Sequence, residues 1–443
     1  MAHRAAGRIL GAAAFLAAGL AVAAKPANRI ASVGEGGVPG AANVYFGSVA
    51  NNGRLVAFAS EDPALLPAGD PNVDPAEQIY LRDVKRDLTT LLSHQANGFA
   101  TAGNGYYPCI SGNGKVVVFE HYGNDILEDD TNSASDIVAY DARTGDLANV
   151  SAPLTGAISN EDSWLYYGVA ISDNGRLVAF TSHATNLVAN DTNGVPDVFV
   201  RDLKAATTRR VSVSSDGAEG NGDSLNAAIS ANGRYVAFAS SATNLAGVDG
   251  NGSADVFLHD LKTGTTERVS VGDDEAEGTD GSGDVAGESS VSVTKNGRLV
   301  CFTSNATNLV SPATAGTVHV FVRDRKAGTT RIVSVRTDGT RAVEHNGGAV
   351  MPASGKFVCF YSYDGLLAPG PDLDYDQFIH DLKTGVTRRA VSTFDGTAAS
   401  DRGYAYSNGL STNGKWLAFY SFASNIVDGD ENDDWDLFLV STR

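Results

Sequence analysis

The chain alternates short apolar runs with turns rich in Gly, Asn and Asp, and one phrase recurs seven times. It consists of Asn-Gly-Arg or a close variant, two apolar residues, a small residue and Phe. The copies begin at Asn52, Asn113, Asn174, Asn232, Asn296, Ser354 and Asn413. Their glycines lie 58 to 64 residues apart. A period near 60 residues predicts a repeat architecture.

Each copy contains four apolar segments of strand length. In the third copy they end at Ser172 and then cover 176–182, 197–203 and 207–213, with tight turns such as "SDNG" between them. No segment has the sustained periodicity of a helix. Seven such units predict an all-β protein, a seven-bladed β-propeller with four-stranded antiparallel blades.

The two ends of the chain predict how the ring closes. The last copy stops after its third strand at 436–443, whereas "NRIASV" at 28–33 matches the fourth strands "TRRVSV" and "TERVSV". We therefore expect the N-terminal strand to complete blade 7. Residues 25–443 would then form one propeller, because closure leaves no unpaired sheet edge in this blade.

These repeats resemble the WD40-like (PD40) repeats of TolB-like propellers, which occur in the periplasmic TolB protein and in many exported bacterial proteins. The resemblance is carried by the "S-x-N-G-R-x-V-A-F" and "D-V-F-V-R-D-L-K-T-G-T-T" runs, which together cover almost the whole chain after residue 24. It implies the fold and an exported protein. It does not imply one activity, because such propellers serve as binding and as enzymatic scaffolds.

Residues 1–24 have the pattern of a secretory signal peptide. Arg4 and Arg8 precede an uncharged apolar run from 9 to 24 that ends in small residues. A membrane anchor is the alternative, but this run is shorter than the roughly 20 residues that span a bilayer. We therefore expect a secreted or periplasmic protein with no transmembrane segment in its mature chain.

The net charge narrows the range of binding partners, and the cysteine positions bear on disulfide bonding. The formal net charge is -19, which opposes binding to nucleic acid or to an anionic membrane. Cys301 and Cys359 occupy a repeat position that holds Ala or Val elsewhere, so we expect buried free thiols rather than disulfides. We expect a monomer.

The loops between the second and third strands carry an acidic pattern, Asp-x-Asn-x-x-x-Asp. Side-chain oxygens in this pattern could bind a hard cation such as Ca²⁺. The alternative is that Asp and Asn only form turns through side-chain to backbone hydrogen bonds. The candidate ligands are Asp130, Asn132, Asp136, Asp191, Asn193, Asp197, Asp249, Asn251, Asp255, Asp428, Asp430, Asn432 and Asp436, and the last copy, with its extra acids, is the strongest candidate.

Aromatic residues mark the start of several first strands. In an up-and-down blade these residues lie on the same face as the long 4-to-1 loops, so we expect an arc at the mouth of the central channel. Exposed aromatics beside carboxylates suit a sugar ring or a peptide, although packing between blades would also explain them. The candidate ligand-binding residues are Tyr45, Tyr106, Tyr167, Tyr406 and Trp164.

No familiar catalytic pattern occurs. G-x-S-x-G, H-E-x-x-H, paired C-x-x-C and the phosphate-binding P-loop are all absent from the sequence. We therefore expect a non-enzymatic binding or scaffold propeller whose partner is a protein or a glycan at the cell surface or in the periplasm. The alternative is a carbohydrate-active enzyme, a polysaccharide lyase or glycosidase, because the chain is rich in carboxylates.

Overall fold

The fold was analysed in a computed structural model. It describes residues 29–33, 43–66, 70, 76–127, 130–155, 158–165, 170–283, 290–363, 376–391, 403–404, 409–427 and 434–442. The signal-peptide prediction for residues 1–24 lies outside the described residues.

The described strands form seven four-stranded antiparallel sheets, each ordered from its first to its fourth strand. The first strands are β2 (Val44–Val49), β6 (Asn104–Ile110), β10 (Ser163–Trp164), β14 (Ser224–Ile229), β18 (Val291–Val293), β22 (Asn346–Val350) and β26 (Gly403–Tyr404). The second strands are β3 (Leu55–Ser60), β7 (Val116–Tyr122), β11 (Leu177–Ser182), β15 (Tyr235–Ser240), β19 (Leu299–Ser304), β23 (Phe357–Ser362) and β27 (Trp416–Ser421).

The third strands are β4 (Gln78–Asp83), β8 (Ser135–Asp141), β12 (Asp197–Asp202), β16 (Asp255–Asp260), β20 (His319–Asp324), β24 (Asp376–Asp381) and β28 (Asp436–Ser441). The fourth strands are β5 (Leu88–Leu91), β9 (Leu147–Asn149), β13 (Thr207–Arg210), β17 (Thr265–Arg268), β21 (Thr329–Ile332), β25 (Thr387–Arg389) and β1 (Arg29–Ile30). One short 3-10 helix, Pro63–Leu65, is found in the described part of the chain. The predicted seven-bladed propeller is confirmed.

The predicted closure of the ring is also confirmed. β1 pairs antiparallel with β28, with Arg29 opposite Leu439 and Ile30 opposite Phe438. The Ser32 hydroxyl donates a 2.7 Å hydrogen bond to Asp436 across 404 residues of sequence. Ser212 makes the same bond to Asp197 inside blade 3, so the N-terminal segment replaces a fourth strand in its chemistry as well as in its position.

The repeated Phe residues account for the core of the blades. In blade 3, Phe180 of β11 lies opposite Phe199 of β12, with ring centroids 5.8 Å apart. Equivalent pairs stack in blades 4, 5 and 7. Because these rings are almost fully buried, they supply much of the apolar area that stabilises each blade. The three cysteines are buried free thiols, as expected.

The repeated polar residues form the short turns. Gly175 adopts a φ of +73°, which the turn after the first strand of blade 3 requires. The Asn174 side chain accepts a hydrogen bond from the Arg176 backbone, and the Arg176 guanidinium binds Asp202 at the end of β12 through two nitrogens. Asp202 also accepts from the Lys204 backbone, which fixes the next turn. The motif therefore ties both short turns of a blade together.

Candidate functional site

The two ends of the propeller differ. We call the end with the 1-to-2 and 3-to-4 turns the turn face, and the end with the 2-to-3 and 4-to-1 loops the loop face. On the turn face, Asn51 Nδ2 donates a 2.6 Å hydrogen bond to Asp173 Oδ1, and the Thr412 hydroxyl lies 2.6 Å from the same oxygen. These three residues belong to blades 1, 3 and 7, so their contacts narrow the central channel at this end.

Aromatic side chains of blades 1 to 3 form a continuous cluster on the loop face. The Tyr106 ring lies 6.2 Å from Tyr107 and 5.6 Å from Tyr122, and the Phe46 and Tyr107 centroids are 4.3 Å apart. We call this set the aromatic cluster, and its members are Tyr45, Phe46, Tyr106, Tyr107, Tyr122 and Trp164. All six side chains are partly or largely exposed, so the cluster presents ring surface to solvent.

A strained backbone holds part of this cluster. β2 and β6 each carry a bulge directly after Tyr45 and Tyr106. The residues that follow, Phe46 and Tyr107, have φ of +49° and +50°. The left-handed region is unfavourable for bulky side chains, and such strain concentrates at functional sites. Blades 4 and 6 carry the same bulge, with Asn226 and Gly348 at the corresponding point in left-handed backbone. The bulge therefore recurs in the repeat, and the fold itself does not need an aromatic residue there.

Two buried carboxyl groups lie beside the rings. Glu77 precedes β4, and burial together with repulsion from Glu61 raises its pKa to about 8. Its Oε1 is buried and has no hydrogen-bond partner. Glu120 lies on β7, where burial raises its pKa to about 7 although Tyr122 and the Leu165 backbone donate to it.

Both glutamates raise the pKa of the same tyrosine, Tyr106. Burial raises the pKa of Tyr106, and the charges of Glu77 and Glu120 raise it further. The arrangement therefore brings two carboxyl groups that hold a proton near neutral pH next to an exposed ring. Such groups can donate hydrogen bonds as well as accept them.

The acidic loops of blades 3 and 4 are already neutralised by arginine. In blade 3, Nη1 of Arg210 lies 3.2 Å from Asp191, 3.0 Å from Asp197 and 2.8 Å from Glu219. Asn193 donates to Asp197 and to the Gly220 carbonyl rather than offering its own oxygen to an ion. The guanidinium group lies where the sequence pattern predicted Ca²⁺.

Blade 4 repeats this arrangement. Arg268 lies 3.1 Å from Asp255 and 2.8 Å from Glu277. Asn251 donates to the Gly278 carbonyl, and Asp249 accepts from the Gly252 backbone. The ion pairs and turn hydrogen bonds of these two loops explain their acidic residues without a metal.

Blade 2 has the same loop without an arginine. Asn132 donates to the Ser159 carbonyl, and Asp136 accepts from Ser151 and Ser159. Burial and the nearby charge of Asp130 raise the pKa of Asp136 to about 6. In the parts of the chain that the structure describes, no group of three or more His, Cys, Asp or Glu side chains could hold a metal ion. A cation in blade 2 would therefore need amide, hydroxyl or water oxygens as well as the two carboxylates.

Several predicted site residues lie outside the described residues. They are Tyr167, Tyr406, Asp428, Asp430 and Asn432. The remaining member of the last loop, Asp436, is buried at the start of β28, where it accepts from Ser32. Calcium binding by this loop stays a prediction, as do the tyrosines of blades 3 and 7.

The predicted site residues did not include four residues of the loop face: Phe46, Tyr107, Glu77 and Glu120. Phe46 and Tyr107 follow the selected tyrosines, and strand alternation would turn them to the other side of the sheet. The bulges remove that alternation. Glu77 and Glu120 stand among many other acids, and only burial distinguishes them.

The turn face also has recesses. Clefts of about 550 and 680 Å³ lie between blades 5 and 6 and between blades 2 and 3. Their charged walls include the Arg298–Asp324 and Arg176–Asp202 pairs. These side chains bind one another to shape the turns, and the walls also carry Lys356 and Lys383 in the first cleft and Lys204 in the second.

Comparison with known proteins identifies the fold. No family model matches the chain, and no curated protein sequence matches it. Among solved structures, TolB from Acinetobacter baumannii is 14% identical, covers 82% of this chain and 76% of its own, and has a TM-score of 0.39. At this TM-score the likeness carries no argument about the chain, and the propeller fold is shown by the seven sheets described above.

Two other solved structures are enzymes. An oligogalacturonate lyase in complex with manganese is 10% identical over 94% of this chain and 96% of its own, with a TM-score of 0.50. A prolyl endopeptidase is 11% identical over 90% of this chain, which spans 50% of the enzyme, with a TM-score of 0.52. Binding proteins and enzymes share this architecture, so the fold leaves the activity open. No helix within the described ranges is long and apolar enough to cross a membrane.

Proposed function

We propose that this chain is an exported, non-enzymatic propeller that binds a glycan or a protein segment through the aromatic cluster. The observation that carries the proposal is the continuous run of partly exposed rings across three blades, with two of its members in left-handed backbone. Tyr45, Phe46 and Tyr107 pack in part against the cores of the blades. The ring surface that stays open to solvent has no role in that packing, so recognition is the better explanation for it.

The surroundings of the cluster indicate the chemistry of the partner. The rings can stack on the apolar faces of a bound molecule. Glu77 and Glu120 are buried beside the rings, and their raised pKa values keep them partly or largely protonated near neutral pH, so they add little negative charge to this surface. The net charge of -19 repels polyanions. The surface is therefore suited to a neutral or cationic partner. The signal-peptide pattern favours the periplasm or cell surface as the place of binding.

Binding can be tested with arrays of neutral and charged glycans and of peptides, using the chain from residue 25. Tyr106→Ala combined with Trp164→Ala should weaken binding by roughly 1 to 3 kcal/mol while leaving the melting temperature close to that of the unaltered chain. Tyr235→Ala is the matched control, since Tyr235 packs against Arg234 in blade 4, away from the cluster. If the double variant binds normally but unfolds early, the rings are packing residues and the proposal fails.

A second function, a carbohydrate-active enzyme, is favoured by one observation. Glu77 and Glu120 flank Tyr106, and their raised pKa values suit general acid chemistry near neutral pH. Incubation with an oligosaccharide panel, followed by detection of new reducing or unsaturated ends, tests this function. Turnover that disappears in both Glu77→Gln and Glu120→Gln would replace the non-enzymatic proposal.

A further inference from the structure

Blades 2, 3 and 4 place the same acidic loop on the same scaffold, which makes them an internal comparison. In all three, the loop Asn donates to a backbone carbonyl of the following segment: Asn132 to Ser159, Asn193 to Gly220 and Asn251 to Gly278. In all three, a Ser two residues after the fourth strand donates to an Asp at the start of the third strand. The loops therefore have a common local structure.

The blades differ at the position that provides the positive charge. Arg210 lies opposite Phe199 in blade 3, and Arg268 lies opposite Phe257 in blade 4. The same register in blade 2 places Asn149 opposite Val138. The residue before the acceptor carbonyl also changes, from Glu219 in blade 3 to Ile158 in blade 2. Blade 2 therefore keeps both aspartates but lacks the arginine and the glutamate.

The loss of the arginine leaves two carboxylate oxygens without a partner. Asp130 is 5% exposed and Asp136 is 1% exposed. Oδ2 of each is buried and has no hydrogen-bond partner. A buried carboxylate oxygen without a donor or a cation is costly, so the loop structure favours an additional positive species.

We propose that the blade 2 loop binds a divalent cation, Ca²⁺ in particular, between Asp130 and Asp136, in the place that the guanidinium group of Arg210 takes in blade 3. The neighbouring groups could supply further oxygen ligands to the cation: Asn149 Oδ1 and the hydroxyl oxygens of Ser151 and Ser159. An all-oxygen set without imidazole or thiolate selects a hard cation over Zn²⁺ or Cu²⁺. This site is independent of the partner-binding proposal.

The test moves the neutralising arginine from blade 3 into blade 2 and removes it from blade 3. The chain from residue 25 is freed of metal with a chelator and titrated with CaCl₂ by calorimetry, and its melting is followed in calcium and in chelator. Asn149→Arg introduces the blade 3 cation into blade 2. It should remove one bound Ca²⁺ per chain and the corresponding part of the calcium-dependent rise in melting temperature, because a bound ion stabilises the fold by mass action.

A second variant keeps the test valid if Asn149→Arg fails to fold. Asp130→Asn together with Asp136→Asn keeps the side-chain size and should also remove one Ca²⁺. Arg210→Asn is the reciprocal change, and it should create a calcium response in blade 3 that the unaltered chain lacks. Any ion held by the last loop is common to all variants and cancels in the differences.

The possible results are distinct. Loss of one Ca²⁺ in both blade 2 variants supports the site. An unaltered chain that binds no calcium and melts equally in calcium and chelator overturns it, and a proton is then the positive species. Equal calcium stoichiometry in the unaltered chain and in Asn149→Arg overturns it as well, since the ion must then lie elsewhere.

Discussion

The turn face and the loop face are built from the same repeat, yet their buried polar groups differ in whether they have hydrogen-bond partners. On the turn face, Asn51, Asp173 and Thr412 bond to one another across the channel. On the loop face, Glu77 keeps a buried oxygen without a partner, and Phe46 remains in left-handed backbone. The channel residues of the turn face therefore have hydrogen-bond partners, whereas Oε1 of Glu77 on the loop face has none. Unsatisfied groups on a rigid scaffold are the feature expected of a binding surface.

The largest expected effect concerns Glu77. The unfolded chain ionises this acid above about pH 4.5, whereas the folded chain holds the proton up to about pH 8. Stability should therefore fall as the pH rises from about 4.5 to 8. Glu77→Gln should remove this fall, a gain on the order of 2 to 4 kcal/mol at pH 8, since each pKa unit corresponds to about 1.4 kcal/mol.

Urea unfolding at pH 5 and pH 8 measures this gain as a difference between variant and parent. The groups that face Glu77 are Glu61, Tyr45 and Tyr106. Glu161→Gln, an exposed acid in blade 3, should leave the pH profile unchanged. If the unfolding free energies of Glu77→Gln and the parent depend on pH in the same way, folding does not raise the pKa of Glu77. The contrast between the loop face and the turn face would then be wrong.

The next effect concerns the turn face, where polar side chains bond across the channel. A Cβ at Gly112 would lie 1.6 Å from Asp173 Oδ1 and 2.4 Å from Asn51 Nδ2. Gly112→Ala should separate these residues and lower the free energy of unfolding by about 2 to 3 kcal/mol, the usual cost of overpacking. Thermal or urea unfolding measures it.

Gly250→Ala provides the matched control, because its Cβ would meet only Glu277 Oε2, at 3.3 Å. It should cost less than about 1 kcal/mol. Equal melting of Gly112→Ala and the parent would mean that the contacts across the channel contribute nothing to stability.

The smallest effect separates incidental strain from functional strain. Ala206 has a φ of +54° in a turn where blade 4 has Gly264 and blade 5 has Gly328. Ala206→Gly should raise stability by about 0.5 to 1 kcal/mol without affecting partner binding, and Gly264→Ala should do the reverse. Phe46→Gly relieves similar strain but should reduce partner binding. If it binds normally, the strain at Phe46 is incidental too.

The fold was predictable because its chemistry repeats. The Arg and Asp of the phrase pair directly in blade 3, as Arg176 and Asp202, and the serine of "NRIASV" performs the role of the serine in "TRRVSV". The Arg recurs in four copies, with Lys in the other three, and the Asp recurs in six. A residue that recurs at a fixed place in most copies has one structural reason, and the sequence displays that reason several times.

The site was less predictable because it depends on departures from the repeat. The arginine that neutralises Asp197 stands 13 residues later, in another strand, and only the register shows that Asn149 replaces it in blade 2. The bulges that expose Phe46 and Tyr107 likewise have no simple sequence signal. Comparing the fourth strands with one another would have found the missing arginine.

Ring closure also sets the order of assembly. β1 is the first described strand along the chain, and its partner β28 is the last. During synthesis or export from the N-terminus, six blades can form one after another, while β1 has to wait for the final segment. Joining these ends is the last step in that order. Because six folded blades then stand between the ends, the entropic cost of closure is lower than for a flexible loop of about 400 residues. A chain that is cut short near its C-terminus therefore leaves β1 without its partner, and blade 7 cannot close.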